Sequence, residues 1–77
     1  MNPITISTLE AFDFDTRALW LHFVRLQEQA VATLNGLELL ADTGNRKAEK
    51  LLNAAWNRYT RRTVFANQAG DMHWEAL

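Results

Sequence analysis

The sequence lacks cysteine altogether, so it offers neither a disulfide nor a thiolate metal site. Its two histidines, His22 and His73, are far apart in the sequence and form no metal-binding motif. A chain of 77 residues is one domain at most, and on folding it buries only about 60% of the surface that the unfolded chain exposes. With disulfides and metals excluded, we expect oligomerisation to supply the missing core.

The sequence also lacks an excess of charge of either sign and long apolar runs. Nine acidic and eight basic side chains give a formal net charge of -1, which does not attract the whole molecule to nucleic acid or to an anionic membrane. No apolar run approaches the roughly 18 residues of a membrane span, and the first residues, MNPITIST, lack the basic and apolar regions of a signal peptide. We therefore expect a cytoplasmic protein without a membrane partner.

A regular apolar pattern predicts a long first helix. Its members follow one another at alternating spacings of three and four residues, as in a heptad repeat. Ser7 and Glu10 have the spacing of a capping box, so the helix is expected to begin at about residue 8. Asp13 and Asp15 are also suitable N-caps, and the sequence leaves a break within FDFD, residues 12–15, undecided. The pattern consists of Leu9, Phe12, Thr16, Leu19, Phe23, Leu26, Ala30, Thr33, Leu37 and Leu40.

A turn and a second helix follow. Gly44 suits the C-cap of the first helix, Asn45 suits the N-cap of the next, and Gly70 is expected to stop it. We predict an all-α fold, a two-helix antiparallel hairpin with a long helix at about 8–42, a turn at 42–45 and a second helix at about 46–69. The single domain spans 1–77, with an extended arm at 1–6 and a C-terminal tail at 71–77.

The register of the two helices predicts which residues the C-terminal tail must cover. Close antiparallel packing pairs residues whose numbers sum to about 87, which places Thr16 near Gly70. The residues before Thr16, including Phe12 and Phe14, then have no cover from the second helix. Trp74 is predicted either to fold back and close this end of the bundle or to anchor another protein, because tryptophan is enriched at binding hot spots.

The apolar surface of the first helix is too wide for one partner helix. It covers an arc of about 200°, whereas one packed helix contacts a single stripe. We therefore predict a homodimer that forms a four-helix bundle, and the alternative is a monomer whose arm and tail cover the surface. The predicted oligomer interface consists of Leu19, Phe23, Leu26, Ala30, Leu34 and Leu37.

No arrangement of residues predicts catalysis. Asp42–Thr43–Gly44 matches the tripeptide of retroviral-type aspartic proteases, but it lies between two helical patterns and is better interpreted as a helix-joining turn. DFDTR, residues 13–17, begins like a calcium-binding loop, yet Ala18 and Val24 stand where that loop needs glycine and glutamate. We expect no catalytic residue, no metal and no cofactor, and hence a non-enzymatic protein.

Six of the eight basic residues lie on the second helix and occupy an arc of about 160°. One interpretation is a solvated face without a binding function, whose charge Glu28 and Glu38 partly neutralise across the hairpin. The functional interpretation is a partner surface formed by Arg58, Arg61, Arg62 and the separate Trp74. The sequence thus favours a small regulatory protein that binds another, unidentified protein. The alternatives are a nucleic-acid-binding regulator that uses the basic arc, and a subunit of a hetero-oligomer similar to a secretion co-chaperone.

Overall fold

The computed structural model describes residues 4–77, and this part of the chain is helical without strands. Its elements are α1 (Ile6–Ala11), α2 (Thr16–Asp42) and α3 (Arg46–Ala76). The two long helices, α2 and α3, pack against each other and form a rod of 47 × 20 × 18 Å. The predicted all-α fold with two long packed helices is confirmed, whereas three of the predicted boundaries need correction.

The turn between α2 and α3 forms as the sequence predicts. Gly44 has a φ of 88°, in the left-handed region, and its amide donates to the carbonyl of Ala41 at 2.9 Å. The amide of Asn45 donates to the carbonyl of Leu40 at 3.0 Å, which completes the usual C-terminal capping motif of a helix. The Asn45 side chain then accepts from the amide of Ala48, so one residue ends α2 and begins α3.

The predicted long helix at 8–42 is wrong in its first part, because the chain breaks between α1 and α2. Thr5, rather than Ser7, is the N-cap of α1. The amide of Phe14 donates to the carbonyl of Leu9 at 2.9 Å, a capping bond that ends α1. Asp13 and Phe14 have φ values of 53° and 59°, a backbone conformation that residues other than glycine adopt infrequently. Asp15 follows as the N-cap of α2.

The core lies at the end of the rod where α1 packs. Ile4, Leu19 and Ala69 are its buried members. Residues 1–3 of the predicted extended arm lie outside the described residues, but the arm as predicted does not extend to residue 6, since Thr5 caps α1 and Ile6 begins it. The partly buried side chains packed on this core are Leu9, Phe12, Trp20, Phe23, Phe65 and Met72.

The predicted end of the second helix at residue 69 and the predicted tail at 71–77 are also wrong, since α3 continues to Ala76. Gly70 is buried inside the helix, where an added Cβ would lie 3.1 Å from Nε1 of Trp20. Close approach of the indole therefore explains this glycine, rather than helix termination. Trp74 is 69% exposed and does not close the bundle. Met72 and the α1 side chains cover that end instead.

The register is displaced from the predicted one. Oγ1 of Thr16 lies 3.1 Å from Nδ1 of His73, so Thr16 pairs three residues beyond the predicted Gly70. The rings of Phe23 and Phe65 stack with centroids 5.1 Å apart. The turn lies at residues 43–45, with its centre about half a residue beyond that of the predicted turn at 42–45. In an antiparallel pair this shift moves each facing residue by about one, so it accounts for only part of the displacement.

Candidate interaction site

The structure divides the six residues of the predicted oligomer interface into two groups. Leu19, Ala30 and Leu34 are buried between the chain's own helices, and Leu19 is 0% exposed. The other three, Phe23, Leu26 and Leu37, are half-buried and line open cavities between α2 and α3. A single chain does not test the oligomer interface, which stays a prediction. Leu19, Ala30 and Leu34 are therefore not available to a partner.

A cavity of about 310 Å³ lies between α2 and α3 beside the core. Its apolar wall is formed by Phe23 and Leu26 of α2 and by Phe65 of α3, and its polar wall is formed by three arginines. One of these arginines, Arg62, is half-buried, and its Nη1 donates to the backbone carbonyl of Leu26 at 3.0 Å. This hydrogen bond fixes a guanidinium group at the edge of the cavity. The cavity is lined by Phe23, Leu26, Arg58, Arg61, Arg62 and Phe65.

A second cavity, of about 190 Å³, continues the first because Arg58 lines both. Its other lining residues are Thr33, Leu37, Leu51, Ala54 and Ala55. We call the two cavities together the arginine groove. Between Phe23 and Leu37 the groove follows α2 for about 21 Å, at about 1.5 Å of rise per residue.

The charge of the arginine groove is not compensated within the described part of the chain. Arg58 and Arg61 are exposed, and no carboxylate forms an ion pair with either of them there. In particular, Glu28 forms no ion pair with Arg58, and the predicted partial neutralisation across the hairpin stays a prediction. Glu28 and Arg58 lie on α2 and α3, but the side of α2 that carries Glu28 faces solvent. The groove thus combines an apolar wall with a local excess of positive charge.

The opposite side of the hairpin carries an apolar surface without arginine, which we call the aromatic face. Gln27 and Thr63 join the two helices on this side by a side-chain hydrogen bond of 3.0 Å. Trp56 meets Tyr59 edge to face at 6.0 Å and remains 47% exposed. Helical spacing places these residues on the other side of the α2–α3 contact from the groove. The aromatic face consists of Trp20, Val24, Val31, Leu52, Trp56 and Tyr59.

The predicted partner surface does not form one site. Arg58, Arg61 and Arg62 lie together in the arginine groove. Trp74 follows Trp56 by 18 residues, which is five helical turns, so it extends the stripe of the aromatic face instead. Leu51 and Phe65 also line the groove, although the basic pattern does not indicate them. Their spacings of seven and four residues from Arg58 and Arg61 place them on the same stripe of α3.

No group of three histidine, cysteine, aspartate or glutamate side chains suited to a metal ion occurs among residues 4–77. Asp42 of the protease-like tripeptide is the last residue of α2, in agreement with a helix-joining turn. In the same part of the chain, no helix is both long enough and apolar enough to cross a membrane. The cytoplasmic location stays a prediction.

Comparison of the chain with models of protein families, with curated proteins and with solved structures gives no match.

Proposed function

We propose that this chain is a non-enzymatic interaction protein that pairs with a second copy through the aromatic face and binds another protein. The aromatic face carries the proposal. Among the described residues it presents Trp56, which is 47% exposed, beside the half-buried Trp20 and Tyr59. Aromatic side chains contribute the largest apolar contact areas in protein interfaces and are enriched there.

The exposed area of the chain supports association. The accessible surface is 5665 Å², whereas a compact monomer of 8.8 kDa exposes about 4,800 Å². The difference, about 900 Å², is close to the roughly 800 Å² that each partner buries in an interface of standard size. Two rods that pack side by side would remove an area of this order from water and form a four-helix bundle.

The two open surfaces differ in their suitability for pairing with an identical copy. A two-fold dimer places the same surface of both chains in contact. Pairing through the arginine groove would bring Arg58 and Arg61 near the same residues of the second copy, and this like-charge contact would weaken the dimer. The aromatic face has no arginine, so it pairs without this cost.

Sedimentation equilibrium of the parent and of two single variants tests the pairing. Trp56→Glu introduces a charge into the aromatic face, and Val64→Glu introduces the same charge at a position of similar exposure on the outer side of α3. We expect the parent and Val64→Glu to have twice the mass of the chain at tens of micromolar, and Trp56→Glu to have the mass of one chain. The circular dichroism of all three should show the same helix content, because both replaced side chains are exposed.

Two results would contradict the proposal. One is a parent that sediments as a monomer at these concentrations. The other is a Trp56→Glu variant that stays dimeric to the same extent as the parent.

A further inference from the structure

We propose that the arginine groove binds an amphipathic helix with acidic residues, contributed by a partner protein. This inference rests on the proposed function, because it names the partner chemistry for the surface that pairing leaves open. It follows from three properties of the groove, namely its shape, its apolar wall and its charge.

The shape of the groove suits a helix. Phe23 and Phe65 line the groove and also pack against the core on which Leu9 of α1 and its C-cap Phe12 pack. The hairpin therefore already holds one helix beside these two rings, and the groove begins where that packing ends. Its length of about 21 Å corresponds to about 14 residues of helix, or four turns. A helix in this position would continue the third layer that α1 forms only at one end.

The apolar wall specifies the inner side of the bound helix. Leu26 and Leu37 are half-buried and Leu51 is 47% exposed, so all three can gain burial from a ligand. Apolar side chains at intervals of three and four residues on the ligand would cover them, as in other complexes of a helix in a groove.

The charge specifies the flank of the bound helix. Arg58, Arg61 and Arg62 line one cavity, and Arg62 is already held by its hydrogen bond to the carbonyl of Leu26. A guanidinium that is fixed before binding loses less freedom when it binds a carboxylate, and two parallel hydrogen bonds to the carboxylate make the pair specific. Glutamate or aspartate beside the apolar stripe of the ligand would meet these arginines.

A nucleic acid fits this surface less well. Binding to a phosphate backbone needs cations arranged along its path, whereas these arginines border an apolar wall that phosphates and sugars cannot fill. The whole molecule also carries a formal charge of -1, which gives no long-range attraction to a polyanion.

Fluorescence anisotropy with synthetic probes tests the inference. The acidic probe is a labelled 14-residue peptide with leucines at helical spacing and glutamates beside them. The basic probe has lysine in place of each glutamate, and a labelled single-stranded oligonucleotide is the third probe. We expect the parent protein to bind the acidic probe at least about ten-fold more tightly than the basic one, since charge-assisted hydrogen bonds form only with the former.

The double variant Arg58→Gln with Arg61→Gln should weaken binding of the acidic probe by about ten-fold or more. The matched control is Arg25→Gln with Lys50→Gln, which removes two exposed cations that line neither cavity and should leave the affinity unchanged. Leu26→Ala should also weaken binding, because it removes part of the apolar wall.

Sedimentation of the same samples separates this inference from the proposed pairing. A dimer that does not bind the acidic probe would overturn the inference and leave the pairing intact. A monomer that binds it in the expected way would support the inference and overturn the pairing. Equal affinity for the two peptides, or no effect of the arginine substitutions, would overturn it. Tighter, arginine-dependent binding of the oligonucleotide would overturn it in favour of nucleic acid.

Discussion

Gly70 is the position at which a single added methyl group tests the packing of α2 on α3. The Cβ of an alanine there would lie 3.1 Å from Nε1 and 3.4 Å from Cδ1 of Trp20. Gly36 offers a matched control, because it also lies inside a long helix but nothing is within 4 Å of its Cβ position. The two substitutions to alanine therefore share the gain in helix propensity and differ in the contact with Trp20.

The expected magnitudes follow from these distances. Alanine is favoured over glycine in a helix interior by about 0.8–1.0 kcal/mol, so Gly36→Ala should stabilise the fold by about that amount. At Gly70 the same gain is opposed by displacement of the Trp20 ring, which also stacks on His73 at 5.7 Å. Overpacking of this kind costs about 1–3 kcal/mol. We therefore expect Gly70→Ala to be less stable than Gly36→Ala by about 1–3 kcal/mol.

Urea unfolding followed by circular dichroism measures both free energies of unfolding. All samples need the same protein concentration, because the proposed self-association would make the apparent stability depend on it. In a Trp20→Phe background the smaller ring leaves room for the Cβ, so the two alanine substitutions should have equal effects. Equal stabilisation by Gly36→Ala and Gly70→Ala in the parent would refute the argument that Trp20 requires a glycine at position 70.

Two further predictions use the same measurement of unfolding free energy. Leu34→Ala should lower the free energy of unfolding by about 3 kcal/mol, because Leu34 is only 4% exposed. Leu26→Ala in the open groove should lower it by less than half as much. Equal losses would contradict the assignment of Leu34 to the core and of Leu26 to the groove. In a Trp56→Glu background, which removes the proposed pairing, Trp74→Ala should change stability by no more than about 0.5 kcal/mol, since Trp74 is 69% exposed. A loss of about 3 kcal/mol in that background would show that the tryptophan closes the bundle after all.

The sequence predicts the turn between the long helices because the signals there are local. Gly44 supplies the left-handed residue, and Asn45 supplies a side-chain acceptor for the next helix. Both functions depend on one residue type at one position and need no knowledge of the rest of the fold. The heptad pattern of α2 is similarly local, so its helical character is predicted although its packing partners are not.

The break before α2 and the glycine inside α3 depend on contacts between distant residues. Asp13 and Phe14 adopt left-handed conformations, which for Phe14 its residue type does not indicate, and the break places Leu9 of α1 against the core. Gly70 has the residue type of a helix stop, but Trp20, fifty positions earlier, determines its role. Only the register of the hairpin brings these two residues together, and the predicted register was displaced.

The two candidate surfaces also depend on contacts that the sequence does not reveal. A heptad pattern gives the width of the apolar surface of a helix, but it does not show which part of that surface another helix covers. α3 covers one line of α2, and apolar residues remain on both sides of that line. The residues of α3 make the two sides different, with Trp56 and Tyr59 on one and Arg58 and Arg61 on the other. Without these arginines the chain would present two uncharged apolar faces. It could then associate through both of them and form an open-ended assembly instead of a closed dimer. In the proposed pairing, the arginines would therefore restrict self-association to the aromatic face, whatever partner the groove binds.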